Sequence, residues 1–305
     1  MSVKQTAVEH GRGQDYEQTL TLRLFDPTPI NRDRSRPFIK WVGGKTRLLS
    51  QLLPHVPEEI ANYHEPFLGG GAMFFAVADR VLGSSYLHDL NAELVNAWLA
   101  VRDYPWELQS ALAKYAAADS KDFYYSIRPL NPTAPVDRAA RFIYLNQTSW
   151  NGLWRVNKWG EFNVPWGQRA FRGLAEDSIA GLQLVLARTV IGSEDFRVSL
   201  LAPEAGDFVY LDPPYLPLSD TSKFHLYTKR RFREPDLREL AELCCLLTER
   251  KVNWVLSNRD TPLVRELFAG AEFHALTTRR SVAAQNRQDV EEANSPELII
   301  VGPRS

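Results

Sequence analysis

At 305 residues, 44% hydrophobic and 24% charged, the chain has globular composition and room for one large domain or two ordinary ones, which excludes disordered, collagenous and fibrous classes. About three quarters of the unfolded surface can be buried at this length, so the core requires neither disulfides nor metal staples. With 36 basic against 37 acidic residues the net charge is −1, and any case for a polyanionic partner has to be local.

Residues 1–36 are polar, broken by Gly11, Gly13, Pro27 and Pro29, and carry the mixed-charge run Arg32 to Arg36; they read as a flexible N-terminal extension. The first residues contain no apolar signal segment, and the longest charge-free apolar window, Pro66 to Ala78, is far short of the ~20 residues of a membrane span. From Pro37 onward, short apolar runs alternate with helical periodicity, which predicts an α/β fold with a mostly parallel sheet. The predicted strands are 61–65, 85–88, 207–211, 252–257 and 297–302. A helix is expected over 91–103 with Asn91 as N-cap, another over 137–146, and a third over 234–249, where Leu237, Leu240, Cys244 and Leu247 recur at steps of three and four. The two cysteines, Cys244 and Cys245, are adjacent inside that helix, poorly placed for a bridge. A reducing compartment and a soluble, cytoplasmic protein are the expectation. Residues 104–185 differ from the rest, and within them Asn146 to Phe171 has no period at all, a length that in a compact domain is usually functional.

Four motifs carry chemistry. Glu65 to Gly71 follows a predicted strand and opens an apolar helix pattern over Ala72 to Val81. Its glycines allow close backbone approach, and the helix start offers unpaired N–H groups. Phe74 stands where the third glycine of a dinucleotide fingerprint would fall, so a plain tight turn is the competing reading. Asp89, at the end of the next strand, is placed to accept from ribose hydroxyls and favours a nucleoside-containing cofactor. Gly43-Gly44-Lys45-Thr46 looks like the end of a phosphate-binding loop, but Ile39 replaces the first glycine that loop needs, which leaves Lys45 as a movable charge near a flexible turn.

Asp212-Pro213-Pro214-Tyr215 is more specific, since Pro-Pro alone arises by chance at roughly one position in 400 at ~5% proline usage. Prolines keep their carbonyls but offer no N–H, so this turn presents acceptors beside an aromatic ring. It suits an exocyclic amine that donates to the Asp212 carboxylate and Pro213 carbonyl while its ring stacks on Tyr215. The plainer alternative is a stiff turn with a packed tyrosine. Finally, Trp150, Trp154, Trp159 and Trp166 are half of the chain's eight tryptophans, interleaved with Arg155, Lys158, Arg169 and Arg172. Stacking on bases and contacting phosphates require this mixture, although a small aromatic core would also use it. Further basic clusters lie at Lys223 to Arg233 and at Arg279, Arg280 and Arg287.

In this order the parts resemble DNA adenine methyltransferases of the Dam type. The similarity is close in Phe38 to Lys45, Glu65 to Gly71, Tyr144-Leu145-Asn146, Asn151 to Arg155, Gly160 to Pro165, Asp212 to Tyr215 with Pro217-Leu218-Ser219, Leu256-Ser257-Asn258 and Arg279-Arg280-Ser281. It spans about 37–303. The resemblance implies a Rossmann-like methyltransferase sheet from 37–103 and 186–305, with a mainly helical DNA-recognition domain inserted at 104–185. It implies S-adenosyl-L-methionine as cofactor, with S-adenosyl-L-homocysteine as product, double-stranded DNA as partner, no metal and a monomer. Trp41, Lys45, Glu65, Phe67, Gly69, Gly71, Asp89 and Asp212 match cofactor positions, and Asp212, Pro213 and Tyr215 match the catalytic turn. Lys40, Leu153, Arg155 and Pro165 match positions that read GATC, and Asn151, Asn157 and Asn163 fall near backbone or flanks. Trp150 stands where the family commonly wedges a tyrosine into the duplex. Gln147, Gln168 and Gln288-Asp289 depart from basic residues of the family. A methyltransferase for cytosine or a protein amide, and a DNA-binding module with a vestigial centre, are the competing functions.

Overall fold

The computed structural model describes residues 37–41, 43–157, 159–216, 232–276 and 296–303. The N-terminal extension, Lys158, the basic residues from Lys223 to Arg231, the 217–219 part of the acceptor motif, and Arg279, Arg280, Arg287, Gln288 and Asp289 lie outside them. Among the described residues are the strands β1 (Tyr63–Glu65), β2 (Ser85–His88), β3 (Thr189–Gly192), β4 (Phe208–Leu211), β5 (Asn253–Arg259), β6 (Glu272–Leu276) and β7 (Glu297–Val301). They form one sheet in the order β3-β2-β1-β4-β5-β7-β6. The first five in that order pair in parallel, whereas β7 runs antiparallel to both β5 and β6. The α/β expectation holds, and the predicted strands recur with small shifts at their ends. β3 and β6, both at edges, were not among them.

β4, Phe-Val-Tyr-Leu, is buried throughout, as a parallel strand covered on two faces has to be. One face meets helix Ala92–Asp103, on which helix Pro135–Thr148 packs; Trp98, Leu94, Phe142 and Leu145 share a single apolar cluster with Tyr63, Leu87 and Phe208 of the sheet. Asn91 starts the first of these helices as expected, its Oδ1 accepting from the N–H groups of Glu93 and Leu94 at 3.1 and 3.2 Å. Helices Pro105–Ala118, Lys121–Ile127 and Glu176–Leu186 complete the 104–185 stretch. The opposite face buries Val209, Leu211, Leu256 and Ile300 under Leu237, Leu240, Cys244 and Leu247 of helix Glu234–Glu249, the stripe read from the sequence. Each such leucine contributes about 1.5–3 kcal/mol by leaving water. Cys244 is buried, Cys245 exposed, and both are free.

Strand order reverses beside β1, which has β2 on one side and β4 on the other. In open α/β sheets a ligand crevice lies at such a switch point, outside the carboxyl ends of the strands. The ends of β1, β2 and β4 lead into Pro66, Asp89 and Asp212. No helix among the described residues is long and apolar enough to cross a membrane, and they hold no cluster of three or more His, Cys, Asp or Glu side chains suited to a metal ion.

Candidate active site and nucleic-acid face

Asp212 leaves β4 on a turn stiffened by two prolines, of which Pro213 is buried. Its Oδ1 receives two contacts: the Lys45 ammonium at 3.0 Å and the Ser257 hydroxyl of β5, which donates at 3.0 Å. Oδ2 is left without a partner among the described residues. Behind this pair, Tyr210 and Ser257 share a buried hydrogen bond of 3.0 Å. Tyr215 closes the turn, its hydroxyl donating to Glu297 Oε2 at 3.0 Å, and the Lys45 ammonium lies 5.0 Å from its ring centroid.

Lys45 opens a short 3-10 turn and is 6% exposed. It donates to the Gly43 carbonyl at 3.0 Å and stands 4.0 Å from Glu297. Burial lowers the ammonium pKa, but the charges of Asp212, Tyr210 and Glu297 outweigh it, and the net result lies above the ordinary lysine value. The Lys45 read from the sequence as a movable charge on the Gly43-Gly44 turn is thus a charged ammonium held against Asp212.

The glycine loop has a packing reason in addition to the one expected. At Gly69 (φ +48°) an added Cβ would lie 2.6 Å from Cδ1 of Trp41, and at Gly71 (φ +66°) 2.6 Å from Cη2 of Trp98. The residues that exclude a side chain are the protein's own indoles. Trp98 Nε1 donates to the Gly69 carbonyl at 3.2 Å, which fixes the loop from below. Asp89 ties it to β2: its two oxygens accept from the N–H of Gly69 at 3.0 Å and from that of Asn91 at 2.9 Å. Each carboxylate oxygen has a second lone pair, so Asp89 can hold the loop and still accept from a ligand hydroxyl.

Glu65 is 3% exposed and accepts from the Tyr63 hydroxyl at 2.9 Å. Burial, followed by the negative charges of Asp212 and Asp89, pushes its carboxyl well above the usual range. Burial likewise raises Asp89 to about 6, against the lowering effect of its backbone donors. Glu65, Asp89 and Asp212 therefore stand near enough for Glu65 to feel the charges of the other two, with Lys45 against Asp212, and a ligand carrying positive charge would relieve their crowding. S-adenosyl-L-methionine has a sulfonium, an ammonium and a ribose diol, and a set of carboxylate acceptors fits those cations and hydroxyl donors. Trp41, against Gly69, and Phe67, packed on Phe196 and Phe232, are half-buried.

The aperiodic segment folds as an irregular hairpin over 149–167. Isolated bridges join Ser149 to Trp166 and Val156 to Phe162, and Trp150 N–H donates to the Pro165 carbonyl at 2.9 Å. At its tip Asn157 Oδ1 accepts from the N–H groups of Trp159 and Glu161, each at 3.0 Å. The tryptophans divide by role. Trp154 is core, its ring 4.2 Å from Phe142 and 4.7 Å from Phe162, whereas Trp150 and Trp159 are 53% and 71% exposed. Arg155 Nε donates to Asn163 Oδ1 at 2.8 Å, so two predicted DNA contacts stand together. Lys40 lies against Gly152, where an added Cβ would come within 3.1 Å of the lysine Cδ. Asn151 and Pro165 are exposed and Leu153 is half-buried. Gln147 donates to the Gly173 carbonyl at 3.2 Å, a structural use of that position. Trp150, Asn151, Arg155, Asn163 and Pro165 thus stand on one hairpin, against which Lys40 packs at Gly152, while Asn157 shapes its tip.

Ser257, Arg259 and Glu297 were not singled out from the sequence as site residues. Ser257 lay within a matched block, and a polar residue inside an otherwise apolar buried strand was the available signal.

A family model described as D12 class N6 adenine-specific DNA methyltransferase matches residues 41–282. The chain is 34% identical over 265 residues to the Type II methyltransferase M1.LlaDCHI of Lactococcus lactis subsp. cremoris, covering 84% of this chain and 92% of that protein. It is 32% identical over 265 residues to a DNA adenine methylase of Escherichia coli (strain K12), covering 85% and 94%, and 32% identical over 260 residues to one of Haemophilus influenzae, covering 82% and 88%. Together with the sheet and its acceptor turn, these matches place the chain in the D12 class of N6 adenine-specific DNA methyltransferases.

Proposed function

We propose that the chain transfers a methyl group from S-adenosyl-L-methionine to the 6-amino group of an adenine extruded from duplex DNA, within GATC. The observation that carries this reading is Asp212 at the tip of β4, fixed through Oδ1 by Lys45 and Ser257, with no partner on Oδ2 among the described residues. Adenine's amino nitrogen is a poor nucleophile because its lone pair is delocalised into the ring. Asp212 Oδ2 and the Pro213 carbonyl accept its two N–H groups and draw it toward tetrahedral geometry, which frees the lone pair to form the N–C bond as the sulfonium S–C bond breaks; the proton that the nitrogen then sheds leaves by way of Asp212 Oδ2 to solvent. The cofactor, when bound, supplies an electrophilic methyl on its sulfonium. Trp41, Glu65, Phe67, Gly69, Gly71 and Asp89 hold it, with Lys45 and Asp212 at the boundary between the two ligands. Tyr215 stacks on the base.

Extrusion of a base costs a few kcal/mol, offset by that stacking and by filling the gap, a role we assign to Trp150 because it is 53% exposed. Residues 104–185 form the recognition domain. Arg155 contacts guanine O6 and N7 in the major groove, Leu153 and Pro165 the thymine methyl, and Lys40 a further base edge. Asn151, Asn157 and Asn163 support backbone contacts. The test is transfer of labelled methyl from the cofactor to short duplexes with and without GATC, followed by locating the modified base. The expected product is N6-methyladenine in GATC, abolished by Asp212→Ala. An active wild type and an equally active Asp212→Ala protein would sink the mechanism, and equal modification of duplexes lacking GATC would sink the specificity.

A further inference from the structure

The acceptor turn is braced by strands other than the one it follows. Ser257 and Arg259 are two residues apart on β5 and project from one face. Glu297, which opens β7, is the cross-strand partner of Arg259. All three reach the turn. Ser257 donates to Asp212, Arg259 Nη1 donates to the Leu216 carbonyl at 2.9 Å with its guanidinium 5.9 Å from the Tyr215 centroid, and Glu297 accepts from the Tyr215 hydroxyl. The same Glu297 oxygen stands 4.0 Å from the Lys45 ammonium, which in turn contacts Asp212. Asp212, Lys45, Glu297 and Tyr215 therefore close a ring of side chains through the backbone of the turn itself.

We propose that Glu297 is a positioning residue for methyl transfer, its carboxylate fixing the Tyr215 ring by the hydroxyl and holding Lys45 against Asp212. This rests on reading Asp212 and Tyr215 as the grip on an extruded adenine. A stacking ring and an amine acceptor act together only if their relative placement is constant. A tyrosine anchored at both its Cβ and its hydroxyl has lost the swivel that a phenylalanine keeps. Burial, then the charges of Asp212 and Glu297, raises the Tyr215 phenol well above its usual range, so it remains a donor throughout the working pH range. Because a displacement of about 1 Å at reacting groups can reduce a rate on the order of a hundredfold, Glu297 acts on the rate without touching either ligand.

The test uses the full chain, single-turnover methyl transfer to a GATC duplex, cofactor and duplex affinities, and the fluorescence of 2-aminopurine at the target position as a report of extrusion. Glu297→Leu is expected to slow transfer roughly 30- to 100-fold while both affinities stay within about twofold. Glu297→Gln, which keeps an acceptor for Tyr215 but not the charge for Lys45, is expected to recover most of that loss. Tyr215→Phe is expected to slow transfer comparably, and the Tyr215→Phe, Glu297→Leu double variant to lose less than the two single losses combined, the mark of a shared interaction. 2-Aminopurine fluorescence should still rise on binding in each variant, with an intensity changed by altered stacking. If Glu297→Leu transfers at the wild-type rate, or if rate falls only in step with affinity or thermal stability and Gln restores nothing, the role of Glu297 is overturned. A wild type that methylates no adenine overturns the reading of the site and this role with it.

Discussion

The side-chain amide of Asn146 grips the backbone of Lys40 from both sides: Oδ1 accepts from its N–H at 2.9 Å and Nδ2 donates to its carbonyl at 2.7 Å. Asn146 is fully buried near the end of helix Pro135–Thr148, and its amide also lies 3.4 Å from the Gly152 carbonyl. Five residues beyond Lys40, Lys45 contacts Asp212. A single short segment thus joins the hairpin proposed to read bases to the turn proposed to hold the amine.

Asn146→Leu removes both hydrogen bonds to Lys40 and is expected to destabilise the protein by about 1–3 kcal/mol, as measured in urea. The same variant should lose discrimination between GATC and its single-base variants more than it loses cofactor affinity. Unchanged discrimination in a folded variant would separate the segment from recognition.

Asp89 ionises near 6 in the folded chain, against 3.8 in the unfolded one. An acid with a raised folded value contributes stability that is present at low pH and lost as pH rises from about 4 through 6. Cofactor affinity should run the opposite way if the carboxylate accepts from the ribose. It is expected to be flat above pH 7 and to fall by up to about tenfold per unit below 6. Calorimetry at pH 5 and 7.5 checks this, and Asp89→Asn should bind weakly without that dependence.

The tryptophans of the hairpin should separate by variant. Trp154→Ala empties a core site packed on Phe142 and Phe162 and is expected to cost about 3–5 kcal/mol. Trp159→Ala, at 71% exposure, should stay within about 0.5 kcal/mol of wild type. Urea unfolding distinguishes them, and equal losses would refute the division.

Gly71→Ala drives a Cβ to 2.6 Å from Trp98 at a left-handed φ. Overpacking of this kind costs about 1–3 kcal/mol. Thermal unfolding should show the loss, and cofactor affinity should fall with it because Trp98 also holds the Gly69 carbonyl.

What the sequence made legible follows burial. β4, β5 and β7 announce themselves by apolar stretches, whereas β1 and β2 mix Tyr, Leu and His with Glu or Ser; all five lie inside the sheet. β3 and β6 close its two edges, where one side faces water: Val190 of β3 is 48% exposed, and in β6 Glu272 and Ala275 are exposed while only Leu276 is buried. Their short, mixed sequences carry too little apolar signal to stand apart from loops. The acceptor motif was readable because proline pairs are rare, but its braces were not. Ser257, Arg259 and Glu297 belong to other strands, and only strand pairing brings them to Asp212 and Tyr215. For the glycine loop, no local pattern reveals that Trp41 and Trp98 occupy the space a side chain would need.

The reversed direction of β7 has a consequence for assembly. Parallel strands deliver their last residues to the ligand edge, whereas β7 delivers its first. It enters as the sixth strand across the sheet, inserted between β5 and β6, though it follows both along the chain. A fragment halted after Leu276 would possess every residue of the Asp212 to Tyr215 turn and yet lack the wall against which that turn rests. Competence for chemistry is therefore acquired later in biosynthesis than the residues that perform it.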